Sequence, residues 1–300
     1  MRPGTFSELP FRGSNPAHPR LAPVGWARPD PVPRSPATER AGAMIIAATS
    51  GIQGTSDTRP DGPTPLTQAE LDRTLDLHGA FLKDRPGGMR ADLRRRELSG
   101  LDLAGRDLSG ANLGGAILTG CILRGSRISH ACLFAADLRG ANLEHAEFRR
   151  SDLRGACLRE ARLTDALFVE ADLRSGLMFG LPDGDEPDPA RFVAGNPAGA
   201  GANGGLVLLT DLSRAVAGSA RFIRADLSFA DLHRAELAGA DFSQANLAGA
   251  NVRDADLTGA CLKYASLRNA DLTGAVIDAV DLTTADLTGT ALRRPAGTQV

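Results

Sequence analysis

Apolar residues recur at every fifth position along two long stretches of this 300-residue chain. The first series runs from Leu93 to Met178 and the second from Phe222 to Leu292, with no polar residue at any fifth position. A period of five matches neither the 3.6-residue repeat of an α-helix nor the two-residue repeat of a strand. Such a chain is expected to wind into a repeat solenoid, because each unit is too short to bury a core alone.

Each five-residue unit reads as a short strand followed by a turn. In Ala141-Asn142-Leu143 a small and a large apolar residue flank a polar one, which is the alternation of a strand with one buried face. Pairs such as Thr258-Gly259 follow, and glycine accepts the backbone angles of a tight corner. Because aromatic residues make up only 4% of the chain, the predicted core is thin and built from Ala and Leu.

The unit Ala111-Asn112-Leu113-Gly114-Gly115 resembles the repeat of the pentapeptide-repeat family, and so do most of the other units. The resemblance implies an all-β repeat solenoid, namely a right-handed quadrilateral parallel β-helix with four units per turn. It also implies one N-terminal capping α-helix, since many such proteins carry a leading helical segment.

The residues before the repeats divide into two segments. Residues 1–65 are rich in Pro, Gly and Arg and are predicted to be disordered, so Met44 is a candidate start of the natural protein. Residues 66–90 are predicted to form the capping helix and a connector. The helix is expected over 68–84, with a capping box between Thr67 and Glu70. Its apolar face is expected to lie over the first coil and contains Leu71, Leu75 and Leu82, with His78 as a packing residue beside it.

The repeats themselves form two arrays with an interruption between them. The predicted boundaries are array 1 at 91–180, a Gly/Pro-rich acidic loop insertion at 181–219, array 2 at 220–294 and a tail at 295–300. The last residue of the first series and the first of the second are 44 apart, which is not a multiple of five. We therefore expect the insertion to protrude from a continuous coil, either as a functional loop or as a tolerated surface insertion.

Charge is distributed unevenly although the whole chain carries only −2. Residues 91–178 have a balance of +1, residues 179–218 of −3 and residues 219–292 of −4. Arginines twenty residues apart in array 1 would stack on one side of a four-unit coil. A solvated, salt-bridged face and a patch for a partner are both compatible with them. The possible partner surface comprises Arg139, Arg154, Arg159, Arg174, Asp183, Asp185, Glu186 and Asp188.

No residue pattern typical of an enzyme is present, so no catalytic, cofactor-binding or metal-binding residue is predicted. The histidines are isolated, and the cysteines fall on repeat positions: Cys121 on an inward one, Cys132, Cys157 and Cys261 on the usual Asp/Asn position. The first hypothesis is a non-enzymatic scaffold that presents rigid faces and a loop to an unknown protein partner. The alternative is a DNA mimic that binds DNA gyrase, protects the topoisomerase and confers inhibitor resistance, as the resemblance implies for some members.

The remaining predictions concern location and assembly. Direct nucleic-acid binding and membrane insertion are not expected from the bulk charge and the short apolar runs. Few cysteines favour a reducing compartment, and 32 Arg against 2 Lys suggest a GC-rich bacterial genome and a cytoplasmic protein. A homodimer through residues 277–294 is expected, because no capping helix follows the last coil.

Overall fold

The computed structural model describes residues 65–178, 197–200 and 206–292, all within one unit that spans residues 60–300. The predicted disordered segment up to residue 64 and the tail at 295–300 lie outside the described residues. The described part consists of one helix, a ladder of short parallel bridges, and a small antiparallel sheet at the interruption.

Helix α1 spans Gln68–Phe81 and begins with a complete capping box. The Glu70 N–H donates to the Thr67 hydroxyl at 3.3 Å, and the Thr67 N–H donates to the Glu70 carboxylate at 2.9 Å. Leu71 and Leu75 are buried in the core. The buried face ends with His78, because the backbone turns away after Phe81.

The prediction that α1 extends to residue 84 was wrong. The Arg85 N–H returns to the Ala80 carbonyl at 2.9 Å, and Asp84 adopts a left-handed φ of 49°. This tight turn stops the helix before the proline and glycines that follow. Leu82, predicted on the apolar face, is 37% exposed as a consequence.

Parallel bridges between residues twenty apart connect the coils, from Asp92↔Asn112 to Asp271↔Ala291. Twenty residues are four units, so each turn of the coil has four sides. We number the sides by the inward residues of the first coil: side 1 at Leu93, side 2 at Leu98, side 3 at Leu103 and side 4 at Leu108.

One column of aromatic rings runs through the interior of side 4. Phe148 stacks on Phe168 with ring centroids 4.7 Å apart, Phe168 on Phe222 at 4.9 Å, and Phe222 on Phe242 at 4.8 Å. All four rings are fully buried. Because the middle contact joins array 1 to array 2, one core continues past the interruption.

The bridges across the interruption join residues 54 apart, as in Cys157↔Asp211 and Asp172↔Asp226. Subtracting the usual period of 20 leaves 34 inserted residues, and this number shifts the phase of array 2 because it is not a multiple of five. The coil therefore ends with Leu173 and resumes at Thr210 to Leu212, upstream of the predicted start at residue 220.

The interruption contains three short strands: β1 at Gly176–Met178, β2 at Pro197–Ala200 and β3 at Leu206–Leu208. They form an antiparallel sheet in the order β1-β3-β2. Met178 was predicted as the last inward residue of array 1. It instead pairs with Leu206 in this sheet, because the chain has already left the coil.

Candidate functional site at the root of the insertion

The insertion leaves and re-enters the coil at the corner between sides 1 and 2. There Leu208 of β3 packs on Gly155, where a Cβ would lie 2.7 Å from the Leu208 Cβ. Gly155 also has a left-handed φ of 67°. Gly176 of β1 lies against the ring of Phe134, which would be 2.8 Å from a Cβ at that position. Glycine at these two positions lets the small sheet sit directly on the coil.

Thr210 fastens the returning chain to the preceding coil and to the point where the insertion leaves the coil. Its hydroxyl accepts a hydrogen bond from the Gly155 N–H at 2.9 Å. The same oxygen lies 2.8 Å from the Arg174 carbonyl and 3.2 Å from the Leu153 carbonyl, so its proton is donated there. Thr210 is fully buried. One side chain thus fixes the exit at Arg174 to the return at Thr210.

The four predicted arginines surround this root, since Arg154 and Arg174 lie on side 1 and Arg139 and Arg159 on side 2. Each makes a close ion pair with an aspartate. The distances are 2.6 Å for Arg139–Asp137, 2.8 Å for Arg154–Asp152, 2.6 Å for Arg159–Asp211 and 2.7 Å for Arg174–Asp172. The arginines therefore form a salt-bridged face rather than an uncompensated positive patch.

The aspartates in these pairs serve the backbone as well. The Asp152 carboxylate accepts the Arg154 N–H, and the Asp172 carboxylate accepts the Arg174 N–H. Burial alone would raise the pKa of Asp172, but the hydrogen bonds from Arg174 outweigh burial and hold its pKa below the ordinary value. The Asp172 carboxylate therefore stays ionised, and both carboxylates hold the outward arginine side chains in position.

The acidic candidates of the insertion lie outside the described residues. These are Asp183, Asp185, Glu186 and Asp188. The structure brings together the four arginines of the predicted surface, and its acidic half stays a prediction.

Two outward aromatic residues at the root were missed by the sequence reasoning. Phe134 lies beneath the Arg154 guanidinium, 5.7 Å from the ring centroid. Phe229 is 61% exposed and has a left-handed φ of 60°, with its ring over Gly249. A left-handed φ is unusual for a bulky residue. The available signal was an aromatic residue at repeat positions that mostly hold small or polar ones.

The thiols and imidazoles of the described residues do not assemble into a reactive group. Burial raises the pKa of Cys121 to about 11 and that of Cys157 to about 12, so both are neutral thiols. His130 and His145 occupy left-handed corner positions. Across the described residues no cluster of three or more His, Cys, Asp or Glu could hold a metal ion. Among those same residues, no helix has the length and hydropathy to span a bilayer.

The family model for pentapeptide repeats matches eight copies in residues 89–125, 131–168 and 210–289, just over half of the chain. HetL, a pentapeptide repeat protein involved in heterocyst differentiation regulation from the cyanobacterium Nostoc sp. strain PCC 7120, is 30% identical. The match covers 71% of this chain and 95% of HetL, with a TM-score of 0.27. QnrB1, a plasmid-mediated fluoroquinolone resistance protein, is 17% identical over 68% of this chain and 91% of its own, with a TM-score of 0.32. No curated protein matches the chain.

Proposed function

Because the chain belongs to the pentapeptide-repeat family, we propose that it is a non-enzymatic scaffold that binds another protein. The binding surface is the insertion together with the faces of sides 1 and 2 around its root. The α1 helix closes the N-terminal end of the coil in this proposal, so that the interior of the scaffold is shielded there. A reducing, cytoplasmic setting remains part of the proposal.

The anchoring of the insertion by Thr210 is the observation that carries this proposal. A loop that was only tolerated would need no buried hydroxyl joining its exit to its return. A fixed root lowers the entropy lost when a protruding segment binds a partner, because fewer conformations must be frozen. The exposed Phe229 beside the root supplies a large apolar side chain of a type that is enriched at protein interfaces.

Affinity capture with matched baits tests the proposal. The full chain is compared with a variant lacking residues 175–208, which removes the whole insertion and restores the coil register. Proteins retained by the full chain and lost by the folded deletion variant support binding through the insertion. Identical sets of captured proteins, or none with either bait, contradict it.

DNA mimicry is the second candidate, and one feature of array 2 favours it. On side 3 of array 2, the outward carboxylates of Glu236 and Asp256 follow one another along the coil. Val276 takes this position in the next coil, and Asp278 lies in the turn after it. The described part of that side in array 2 contains no basic residue. Array 1 does not continue this field, because its arginines pair with carboxylates. Protection of DNA gyrase from inhibitors in a supercoiling assay would favour this function over the scaffold.

A homodimer through the C-terminal coil completes the proposal. The inward residues of the last described coil are only partly buried, in contrast to the fully buried columns before them. They include Ile277, Val280, Leu282 and Leu287. Leu292 is 46% exposed, and no later coil among the described residues pairs with the strand edges of this one, an arrangement that favours association. Sedimentation equilibrium decides the question: a dimer that Leu292→Arg converts to monomer supports it, and a monomeric wild type contradicts it.

A further inference from the structure

The first coil differs from all later coils because no coil precedes it within the described residues. In later coils, the residue before each inward side chain pairs with the preceding coil through both of its backbone groups. Arg127 shows the pattern: its N–H donates to the Arg106 carbonyl at 2.9 Å, and its carbonyl accepts the Leu108 N–H at 2.7 Å. The residues at this position in the first coil are Asp92, Glu97, Asp102 and Asp107.

At two of these four residues, backbone groups that would pair with a preceding coil are instead paired by the segment around the start of α1. The Glu97 carbonyl accepts the Leu66 N–H at 2.9 Å. The Asp102 N–H donates to Gln68 Oε1 at 2.9 Å, and the Asp102 carbonyl accepts from Gln68 Nε2 at 2.9 Å. The carboxamide of Gln68 therefore takes the place of a peptide group of the missing coil.

The backbone of Asp107 is not paired in this way. Within the described part of the chain, neither its backbone N–H nor its carbonyl has a hydrogen-bond partner. Asp107 lines a cleft of about 310 Å³ between α1 and the first coil, and Gly79 and Ala80 of α1 line it too. By the ladder geometry, its two free groups point away from Arg127 and towards the N-terminal side, where α1 lies.

The cleft has a positive balance, since three basic and two acidic side chains line it. Lys83 and Arg85 line it, and neither makes an ion pair with another described residue. The third cation, Arg106, is held by Asp72 at 2.5 Å and lies 3.6 Å from Asp76. Lys83 and Arg85 are exposed, so their charges are available to a ligand that enters the cleft.

We propose that this cleft binds an extended acidic peptide segment of a partner protein. The main chain of the segment pairs with Asp107 as an added strand, donating to its carbonyl and accepting from its N–H. Carboxylates next to the paired residue contact Lys83 and Arg85. This surface is separate from the insertion, so binding here and binding at the insertion succeed or fail independently.

The probe is a short capped peptide in which glutamate alternates with valine, labelled with a fluorophore and titrated with the full chain by anisotropy. We expect saturable binding that weakens as salt is added, because the rim contacts are exposed. The same peptide with N-methylated backbone amides should not bind, since it cannot pair as a strand. A lysine version should not bind either. Equal binding by the N-methylated peptide would overturn the strand-pairing proposal.

Two variants of the chain locate the site. A Cβ at Gly79 meets no atom within 4 Å, so Gly79→Leu fits the helix and fills the cleft. We expect it to abolish peptide binding without lowering the melting temperature. Lys83→Glu combined with Arg85→Glu should weaken binding about fivefold or more, whereas Lys263→Glu combined with Arg221→Glu, the same charge change at exposed positions of array 2, should not. Unchanged affinity in Gly79→Leu would place the peptide elsewhere and contradict the proposal.

Discussion

The guanidinium of Arg159 contacts the carboxylate of Asp211 at 2.6 Å, although 52 residues separate them in the chain. Arg159 belongs to the last complete coil of array 1, and Asp211 to the first unit after the insertion. The Asp211 side chain is only 1% exposed. This ion pair joins the coil before the insertion to the coil after it on side 2. Thr210 makes the same kind of connection at the corner between sides 1 and 2.

Replacing Asp211 with Asn should therefore destabilise the protein. The variant keeps an acceptor for the Ser213 N–H but removes the charge that Arg159 contacts. The neutral amide loses the charge-assisted hydrogen bonds that the Arg159 guanidinium donates to the buried Asp211 carboxylate, and we expect about 1–3 kcal/mol lower free energy of unfolding. Urea denaturation measures it. Asp286→Asn, which removes an exposed pair with Arg268, is the control and should cause no measurable change.

The inserted length predicts which deletion the fold tolerates. Removing residues 175–208 takes out the insertion that the bridges across it define, and places Thr210 and Leu212 at the inward positions of a regular unit. We expect a folded protein with cooperative thermal unfolding. Removing residues 175–209 takes out one residue more and turns every later leucine off the core. Circular dichroism and melting compare the two, and equal behaviour of both deletions would contradict the assigned length of the insertion.

His78 predicts a pH-dependent stability. It is fully buried between α1 and the first coil, and its Nδ1 accepts the Ala91 N–H at 3.2 Å. Burial lowers the pKa of His78, against the opposing attraction of Asp107 and with the added repulsion of Arg90. A protonated Nδ1 could no longer accept that hydrogen bond, so the folded state binds the proton less readily than the unfolded state.

Because folding lowers the pKa of His78, acidification destabilises the folded protein. The contribution of neutral His78 is fully present above its unfolded pKa of about 6.5 and is lost as the pH falls below it. The wild type should therefore lose stability between pH 7 and pH 5 relative to His78→Gln, which does not titrate. Urea midpoints measured across this range test the effect, and parallel curves for the two proteins would exclude it.

Leu257 tests the inward assignment of the columns. It is 1% exposed within a core that is one coil wide. Leu257→Asp would bury an unpaired carboxylate there. The free-energy cost of burying this charge exceeds the small free energy of unfolding of the coil. We expect array 2 to unfold, with loss of far-UV signal. Thr258→Asn, one residue further along and exposed, should fold normally. A soluble Leu257→Asp variant that melts like the wild type would be incompatible with the assignment.

The sequence was sufficient for the core but not for every boundary. The fifth-position residues of each array predicted the buried columns, because one leucine per unit is all that a narrow coil can enclose. Ala217 explains the late predicted start of array 2. Ala217 is buried at an inward position that usually holds leucine, and its N–H donates to the Glu236 carbonyl. Because this alanine interrupts the series of large apolar residues, array 2 was predicted to start after it, although the coil resumes at Thr210.

The candidate site was less predictable, because it depends on contacts between distant segments. Stacking of Arg139 on Arg159, and of Arg154 on Arg174, follows from the twenty-residue period. The sequence left open whether these arginines form a salt-bridged face or a patch for a partner. The anchoring hydroxyl of Thr210 could not be foreseen, since its partners at Gly155 and Arg174 become neighbours only once the insertion is looped out.

The continuity of the coil past the insertion is tested most directly by cross-linking across it. Thr164 and Gly218 occupy equivalent places on side 3 before and after the insertion, and the neighbouring Asp165 N–H donates to the Gly218 carbonyl at 3.2 Å. Cysteines at these two positions, with Cys132 and Cys261 changed to Ser, should be joined by a bifunctional alkylating reagent that bridges thiols about 5 Å apart. The pair Thr164→Cys and Ala238→Cys, one coil further, should not be joined. Absence of the first cross-link, or equal yield of both, would contradict a coil that resumes directly after the insertion.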